Sequence, residues 1–201
     1  ECIQINPKAE GPYVNVILAY TKILKKNPNS LLQQAREEVL GRLKQLIERR
    51  SSKAASYFYL GFVYEQMEDW QPAMEAYRQV LTIHPKDREA SLNLANIYKN
   101  GGLLREAVHI YQQIVDHDPK NAEAYFNLGV IYQRLGDSAK AQEFFQQSLK
   151  INVRNKESYL ELGKLAKREN HREEAMYWYE ELIKVDPENV QGYYALGDIY
   201  A

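Results

Sequence analysis

A leucine recurs every 34 residues along most of this chain, and a small residue follows it each time. The small residue is glycine in all copies but one, among apolar neighbours at helical spacing, although glycine inside a helix costs about 1 kcal/mol relative to alanine. The pairs are Leu60–Gly61, Leu94–Ala95, Leu128–Gly129, Leu162–Gly163 and Leu196–Gly197. Because glycine recurs at the same position of each period in spite of this cost, we infer that each period contains the same close contact. The sequence therefore predicts a repeat array.

Other positions repeat when each unit is numbered so that this leucine is position 7. Positions 4, 7, 8 and 11 follow helical spacing, as do positions 20, 24 and 27, which predicts two amphipathic helices per unit. Position 20 is always alanine and position 24 always aromatic, in Ala73, Ala107, Ala141 and Ala175, and in Tyr77, Tyr111, Phe145 and Tyr179. We expect the small residues to let the two helices approach and the rings to fill the space around them.

Helix ends are also marked at fixed positions. Position 34 suits an N-cap of the next helix and holds Asp87, Asn121, Asn155 and Asn189. Two residues earlier a proline should end the preceding helix, at Pro85, Pro119 and Pro187, whereas Val153 breaks this set. Trp70, in the turn between the helices of the first complete unit, is expected to be a packing residue.

This pattern resembles the tetratricopeptide (TPR) repeat. The resemblance implies an all-α protein, a right-handed α-solenoid of stacked antiparallel helix pairs. It predicts complete units at residues 54–87, 88–121, 122–155 and 156–189, and the first helix of a further unit at residues 190–201.

Residues 1–53 fit the pattern less well and are expected to form a degenerate unit. Residues 1–7 resemble the tail of a second helix, and a first helix is predicted from about residue 12 to residue 25, with Tyr13 and Tyr20 at positions 4 and 11. A longer second helix should follow, with Val39, Leu43 and Leu46 at positions 20, 24 and 27. Because both ends of the sequence fall inside a unit, we expect a slice of a longer array or a terminus covered by another chain.

Composition excludes several classes of function. The formal charge is −1, so no overall attraction to nucleic acid is expected, and no apolar run approaches the roughly 20 residues of a membrane helix. The single Cys2 cannot form an internal disulfide, which fits a reducing compartment, and we expect the cytoplasm.

Nothing in the sequence indicates catalysis or a cofactor. The four histidines lack the i, i+4 spacing of a metal pair, and the glycines at 101 and 102 fit a turn rather than a phosphate-binding loop. We therefore expect no enzyme activity, no metal site and no cofactor.

The resemblance does imply a peptide-binding surface. In TPR proteins the first helices line a concave groove, with positions 2, 5, 6, 9, 12 and 13 pointing into it. Position 5 is apolar in every one of these units, up to Tyr194 in the last. Lysine and arginine residues occur near the C-terminal ends of the later first helices. The candidate groove residues are Phe58, Tyr59, Phe62, Leu92, Asn93, Asn96, Lys99, Phe126, Asn127, Val130, Arg134, Leu160, Lys164, Lys167 and Arg168.

Two features of this groove suggest how it could bind. Asn93 and Asn127 continue an asparagine row like that of the O-linked N-acetylglucosamine transferases, and a carboxamide can pair with any peptide backbone; the alternative is two solvated polar residues. The basic row could receive acidic side chains or a C-terminal carboxylate, or could be an ordinary charged face at helix C-termini. The carboxylate clamp of some TPR proteins is excluded because position 5 is apolar and position 2 is glutamate.

We therefore predict a non-catalytic scaffold that binds a partner polypeptide, of acidic character, in this groove. Two alternatives remain: a substrate-presenting region of a larger enzyme such as a protein glycosyltransferase, and a self-assembling scaffold. A multi-subunit assembly or a longer parent chain is expected in each case.

Overall fold

The computed structural model describes residues 11–26, 29–48 and 54–200. Within these ranges the chain is built from α-helices joined by short turns, and no strand occurs in them. The helices are α1 (Gly11–Lys26), α2 (Ser30–Glu48), α3 (Ala54–Gln66), α4 (Trp70–Ile83), α5 (Arg88–Asn100), α6 (Leu104–His117), α7 (Ala122–Arg134), α8 (Ser138–Ile151), α9 (Lys156–Arg168), α10 (Arg172–Val185) and α11 (Val190–Tyr200).

The helix boundaries follow the 34-residue period. Helices α3, α5, α7, α9 and α11 begin 34 residues apart, and each of α4, α6, α8 and α10 contains 14 residues. Helix α8 ends at Ile151 although Val153 stands where the other units have proline. Asn152 supplies a different stop, because its Oδ1 accepts a hydrogen bond from the Arg154 amide at 3.1 Å and so forms a turn.

The predicted N-caps are confirmed. In each case the position-34 side chain accepts a hydrogen bond from the backbone amide three residues later, which satisfies one otherwise unpaired donor of the helix. The distances are 2.9 Å from Asp87 to Ala90, and 3.0 Å from Asn121 to Ala124, from Asn155 to Ser158 and from Asn189 to Gly192.

The predicted close contact is also present in the three helix pairs whose first helix has glycine at position 8. A Cβ added to Gly61 would lie 2.8 Å from the ring of Tyr77, and one added to Gly129 would lie 2.6 Å from Phe145. Gly163 meets Tyr179 in the same way. The alanines at position 20 have no exposed surface, as shown by Ala73, Ala107, Ala141 and Ala175. Small residues therefore allow α3 to pack on α4, α7 on α8 and α9 on α10.

The turn between the helices of each complete unit, within residues 54–187, contains one residue with positive φ. Gly102 and Gly136 have φ of 79° and 82°, so the glycine at 102 lies in a turn as predicted. Glu68 and Asn170 adopt the same conformation, with φ of 61° and 60°, although left-handed backbone is unfavourable for residues with a Cβ. The packing prediction for Trp70 is wrong: it is the first residue of α4, and 48 % of its surface is exposed.

The chain divides inside α5, between Ile97 and Tyr98, into two compact units that we describe separately. In the first, α1 packs on α2 and on α3, and the core is centred on Ile17, Leu43, Val63 and Tyr77, all fully buried. Helix α2 has 19 residues against 14 in α4. The predicted helix tail at residues 1–7 and the Leu46 side chain lie outside the described part.

The second unit contains α6 to α11. Helix α7 packs between α6 and α8, and α10 packs on both α9 and α11. Its core includes Tyr111, Leu128, Phe145, Leu162 and Tyr179, each no more than 1 % exposed. These buried side chains hold the first helices α7, α9 and α11 in place, and those helices carry the site described next.

Candidate peptide-binding site

A cavity of about 760 Å³ opens between the first helices α9 and α11 of the second unit. Its surface is mainly apolar, with charged side chains at the edges. It is lined by Leu160, Lys164, Lys167, Arg168, Tyr179, Val190, Gln191, Tyr194, Ala195 and Asp198. A volume of this size accommodates several amino-acid side chains.

Exposed apolar side chains line this cavity. Val190 and Tyr194 of α11 each expose 78 % of their surface. On the opposite side Leu160 of α9 is half-buried and lines the cavity. Large apolar groups that face solvent in a concave site are typical of surfaces that bind a partner.

The three cations of α9 differ in how they are paired. Lys164 Nζ lies 2.7 Å from Glu161 Oε1 on the same helix, and Lys167 forms an ion pair with Asp198 of α11 across the cavity. Arg168 lines the cavity, and its guanidinium has no ion pair or hydrogen bond within the described residues. This arginine can therefore receive a carboxylate without giving up an existing contact.

The Asn127 side chain makes internal contacts that its groove position did not predict. This side chain is only 5 % exposed, and both ends of its carboxamide are already used inside the protein. Its Oδ1 accepts a hydrogen bond from Lys99 Nζ at 2.5 Å, and its Nδ2 donates to the Glu123 carbonyl at 3.0 Å. Burial and these two internal hydrogen bonds hold the Asn127 side chain in the protein interior, which makes it less accessible to a peptide backbone than its sequence position suggested.

Lys99 and Arg134 belong to the same internal network. Arg134 Nη1 donates to the Lys99 carbonyl oxygen at 2.6 Å, so this arginine ties α7 to the end of α5. Partial burial lowers the pKa of Lys99; nearby Glu123 opposes this effect and Arg134 adds to it. Lys99 and Arg134 thus have structural contacts that Arg168 lacks.

Asn93, in the first unit, is half-buried and supports the core as well. Its Nδ2 donates to the hydroxyl oxygen of Tyr77 at 3.1 Å, and that hydroxyl donates to Glu65 Oε2 at 2.8 Å. Burial and Glu65 together raise the pKa of Tyr77 above its ordinary value. Asn96 is half-buried too and has a partner in the structure.

The apolar row at position 5 covers the aromatic core residues. The ring of Phe58 lies 5.6 Å from that of Tyr77, and the ring of Phe126 lies 5.5 Å from that of Phe145. The remaining apolar candidates are Phe62, Leu92 and Val130, which are half-buried, and Tyr59, which is 42 % exposed. Helical spacing alone did not reveal that position 5 contacts position 24.

The structure brings four of the candidate residues together and adds α11 to them. Leu160, Lys164, Lys167 and Arg168 share the cavity described above, whereas the other candidates lie elsewhere. The α11 residues were left out of the candidate set although the register contained the signal. Gln191, Tyr194, Ala195 and Asp198 occupy positions 2, 5, 6 and 9, the same groove positions as in the other first helices.

The described residues contain neither a cluster suited to a metal ion nor a helix that could span a membrane. No group of three or more histidine, cysteine, aspartate or glutamate side chains is placed there to hold a metal ion. Across that part of the chain, every helix is too short or too polar to span a membrane.

Known proteins share both the sequence pattern and the fold. Sequence models described as tetratricopeptide repeat match residues 54–87 and 87–152, and one described as TPR repeat matches residues 169–201. None of the curated proteins compared with the chain has a matching sequence.

Solved structures similar to this chain include several TPR proteins. A crystal structure of MamA is 26 % identical, with a TM-score of 0.68, over 73 % of this chain and 80 % of MamA. MamA from Desulfovibrio magneticus RS-1, residues 41 to the end, is 17 % identical, with a TM-score of 0.69, over 90 % and 99 %. YrrB, described as a TPR protein with an unusual peptide-binding site, is 19 % identical, with a TM-score of 0.68, over 94 % and 93 %.

The helix pairs, the 34-residue register, the matching sequence models and the similar solved structures all indicate the same family. The chain belongs to the tetratricopeptide repeat family and has the all-α solenoid fold of that family.

Proposed function

We propose that this protein is a non-catalytic interaction scaffold that binds an extended segment of a partner polypeptide on its first helices. The α9–α11 cavity is the observation that carries the proposal, because it presents exposed apolar surface beside a free guanidinium. YrrB, which has a similar fold, is described as having a peptide-binding site. A preformed surface of stacked helices lowers the ordering cost of binding, since only the partner segment must become ordered.

Charge supports a partner of acidic character. Lys164, Lys167 and Arg168 line the cavity, and Asp198 is the carboxylate among its lining residues. Since Asp198 already pairs with Lys167, the incoming segment should place its own carboxylate near Arg168. Planar guanidinium groups bind carboxylates with two parallel hydrogen bonds, which favours arginine over lysine for this role.

The proposed ligand also has an apolar part. Leu160, Val190 and Tyr194 offer an apolar floor next to Arg168. An aromatic or large aliphatic side chain close to an aspartate or glutamate would cover this floor while its carboxylate meets the arginine. The proposed recognition element is therefore a bulky apolar residue adjacent to an acidic residue in an extended segment.

The repeat boundaries are part of the same proposal. In this proposal each unit presents an equivalent first helix to a partner. The units are residues 54–87, 88–121, 122–155 and 156–189, with a further first helix at 190–201 and a degenerate unit before residue 54. The regular starts of α3, α5, α7, α9 and α11 support this division.

Selection from a displayed random-peptide library tests the proposed ligand. The chain should enrich peptides with a large apolar residue beside aspartate or glutamate, and Arg168→Glu should abolish that enrichment. Lys150→Glu is the matched control, because Lys150 is an exposed cation near the end of the second helix α8. Enrichment of the same acidic peptides by the Arg168→Glu chain would refute the proposal.

A further inference from the structure

Arg36, on helix α2 of the first unit, has a buried donor without an acceptor. Its side chain is 15 % exposed, and its Nη2 donates to Glu37 Oε1 at 3.0 Å. Its Nε is buried, and no acceptor among the described residues forms a hydrogen bond with it. A buried N–H group without an acceptor is unfavourable, so this guanidinium can gain a hydrogen bond from a ligand oxygen.

Two cavities share Arg36 in their lining. The smaller, of about 310 Å³, lies among the end of α1, the start of α2 and the turn after α3. The larger, of about 490 Å³, lies among α2, the end of α3 and the start of α4. Met67 and Glu68 also line both cavities, so a ligand that contacts the guanidinium can extend to either side of it.

The smaller cavity depends on the extra length of α2. With Val39 and Leu43 at positions 20 and 24, Arg36 stands at position 17, where α4, α6, α8 and α10 each begin. Residues 30–35 therefore form an N-terminal extension that the second helices of the complete units lack. Gln33 of this extension lines the smaller cavity, which makes the site a property of this irregular part of the chain and not of the repeat.

The charged side chains differ between the two cavities. The smaller one has two cations, Lys25 and Arg36, and one carboxylate, that of Glu68, which lies 2.6 Å from Lys25 Nζ. The larger one has three carboxylates and two cations. These are Glu37, Glu68, Asp69, Arg36 and Lys44. The pair of cavities therefore matches a ligand that carries an acidic group and a basic group side by side.

We infer that these cavities bind an extended segment of a partner polypeptide in which an aspartate or glutamate lies two residues from a lysine or arginine. The carboxylate enters the smaller cavity, where the guanidinium of Arg36 turns toward it and Nε gains the acceptor that it lacks. The basic side chain enters the larger cavity beside Asp69, whose carboxylate makes no capping hydrogen bond to α4. In an extended segment this spacing places both charges on one face, about 7 Å apart.

A polypeptide suits these cavities better than a small zwitterion. The carboxamide of Gln33 is exposed at the smaller cavity and can both donate to and accept from a peptide group. Leu40, Tyr64 and Pro72 add apolar surface to the larger cavity, which can cover the aliphatic stem of a lysine.

A designed peptide, Ac-Lys-Ala-Glu-Ala-Lys-NH2, tests the inference. Lysine on both sides of the glutamate makes the probe independent of chain direction. Binding to the full isotope-labelled chain is followed by NMR at the Nε–Hε group of Arg36 and at the backbone amides of Gln33 and Glu68. We expect saturable shifts at all three, and about tenfold weaker binding or less when glutamine replaces the glutamate of the peptide.

Matched variants locate the contact. Arg36→Gln should remove the preference for the glutamate peptide, whereas Arg42→Gln should keep it, because Arg42 is an exposed arginine of the same helix that pairs with Glu38. Asp69→Asn should weaken binding by about threefold or more. Arg168→Glu, which tests the proposed function, should leave the shifts at Gln33 unchanged, so the two sites can be refuted separately.

Three results would overturn the inference, and none of them requires a variant to fold. The first is no saturable shift of the Arg36 Nε–Hε signal up to about 10 mM peptide. The second is equal binding of the glutamate and glutamine peptides by the wild-type chain. The third is equally tight binding of 6-aminohexanoate, because a small zwitterion would then be a sufficient ligand.

Discussion

The ring of Phe145 occupies the space in which a Cβ of Gly129 would stand. A methyl carbon at Gly129 would lie 2.6 Å from both Cδ1 and Cε1 of that ring, closer than carbon atoms pack in proteins. The helix propensity lost at Gly129 is thus offset by the burial of a whole aromatic side chain, which is worth more than about 1 kcal/mol. This contact explains why a glycine follows the repeated leucine.

Gly129→Ala should lower the free energy of unfolding by about 1 to 3 kcal/mol, because the ring of Phe145 must move within a packed core. Urea unfolding followed by circular dichroism measures the effect. Gly197→Ala is the control: its Cβ meets no atom of the described chain, so it should stabilise by up to about 1 kcal/mol. Similar changes for the two variants would contradict the assigned contact.

Leu128→Ala should cost about 2 to 5 kcal/mol, because it opens a cavity at a fully buried position between α7 and α8. Glu123→Ala, in the first turn of α7, should stay within about 1 kcal/mol, since an exposed carboxylate there contributes mainly through the helix dipole. Thermal melts of the two variants and the wild-type chain distinguish the positions. A loss for Glu123→Ala as large as that for Leu128→Ala would show that the burial assignment is wrong.

Asn127→Ala should destabilise the protein by about 1 to 3 kcal/mol, because it leaves the Lys99 amine without its acceptor in a partly buried place. Asn93→Ala should cost less, about 0.5 to 1.5 kcal/mol, since the Tyr77 hydroxyl keeps its bond to Glu65. Chemical denaturation of both variants provides the measurement. If Asn127→Ala were as stable as the wild-type chain, the internal role of this side chain would be refuted.

Alkaline pH should destabilise the fold through its buried tyrosines. The pKa of Tyr77 is raised by burial and by Glu65, and burial likewise raises that of Tyr111. Each contribution is fully present below the unfolded-state pKa of about 10 and is lost as pH rises above it, by up to about 1.4 kcal/mol per pH unit for each group. Free energies of unfolding measured from about pH 9 to pH 11 should therefore fall.

Tyr77→Phe is the test of this assignment, since phenylalanine keeps the ring on Gly61 but cannot ionise. The variant should lose stability at neutral pH, where two hydrogen bonds disappear, and its decline at alkaline pH should be shallower. Parallel pH profiles for the variant and the wild-type chain would exclude Tyr77 as a source of the alkaline loss.

The repeat register was predictable because it depends on local chemistry. N-caps such as Asn121 and Asn155 act within three residues of their own position, so the sequence contains both the cap and the amide that it pairs with. Turn geometry was predictable where glycine marks it, at Gly102, but not at Glu68, because glutamate is rarely found at a positive φ.

The candidate site was only partly predictable. Leu160, Lys164, Lys167 and Arg168 share one cavity, as their common helix suggested, yet helical phase could not show which polar groups were already paired. Asn127 illustrates the limit, because its partner Lys99 lies 28 residues away in sequence. A hydrogen bond over that distance depends on how two helices pack.

The sequence by itself therefore determined the helices, their ends and the contact between glycine and an aromatic ring in three helix pairs, since these follow from spacing, capping and side-chain volume. Only the tertiary structure decided which of the predicted groove residues have internal partners. Asn127 and Arg168 both occupy predicted groove positions, but the carboxamide of Asn127 is buried and paired while the guanidinium of Arg168 lines an open cavity. Burial and pairing depend on neighbours from other helices, and these neighbours are defined only once the chain has folded.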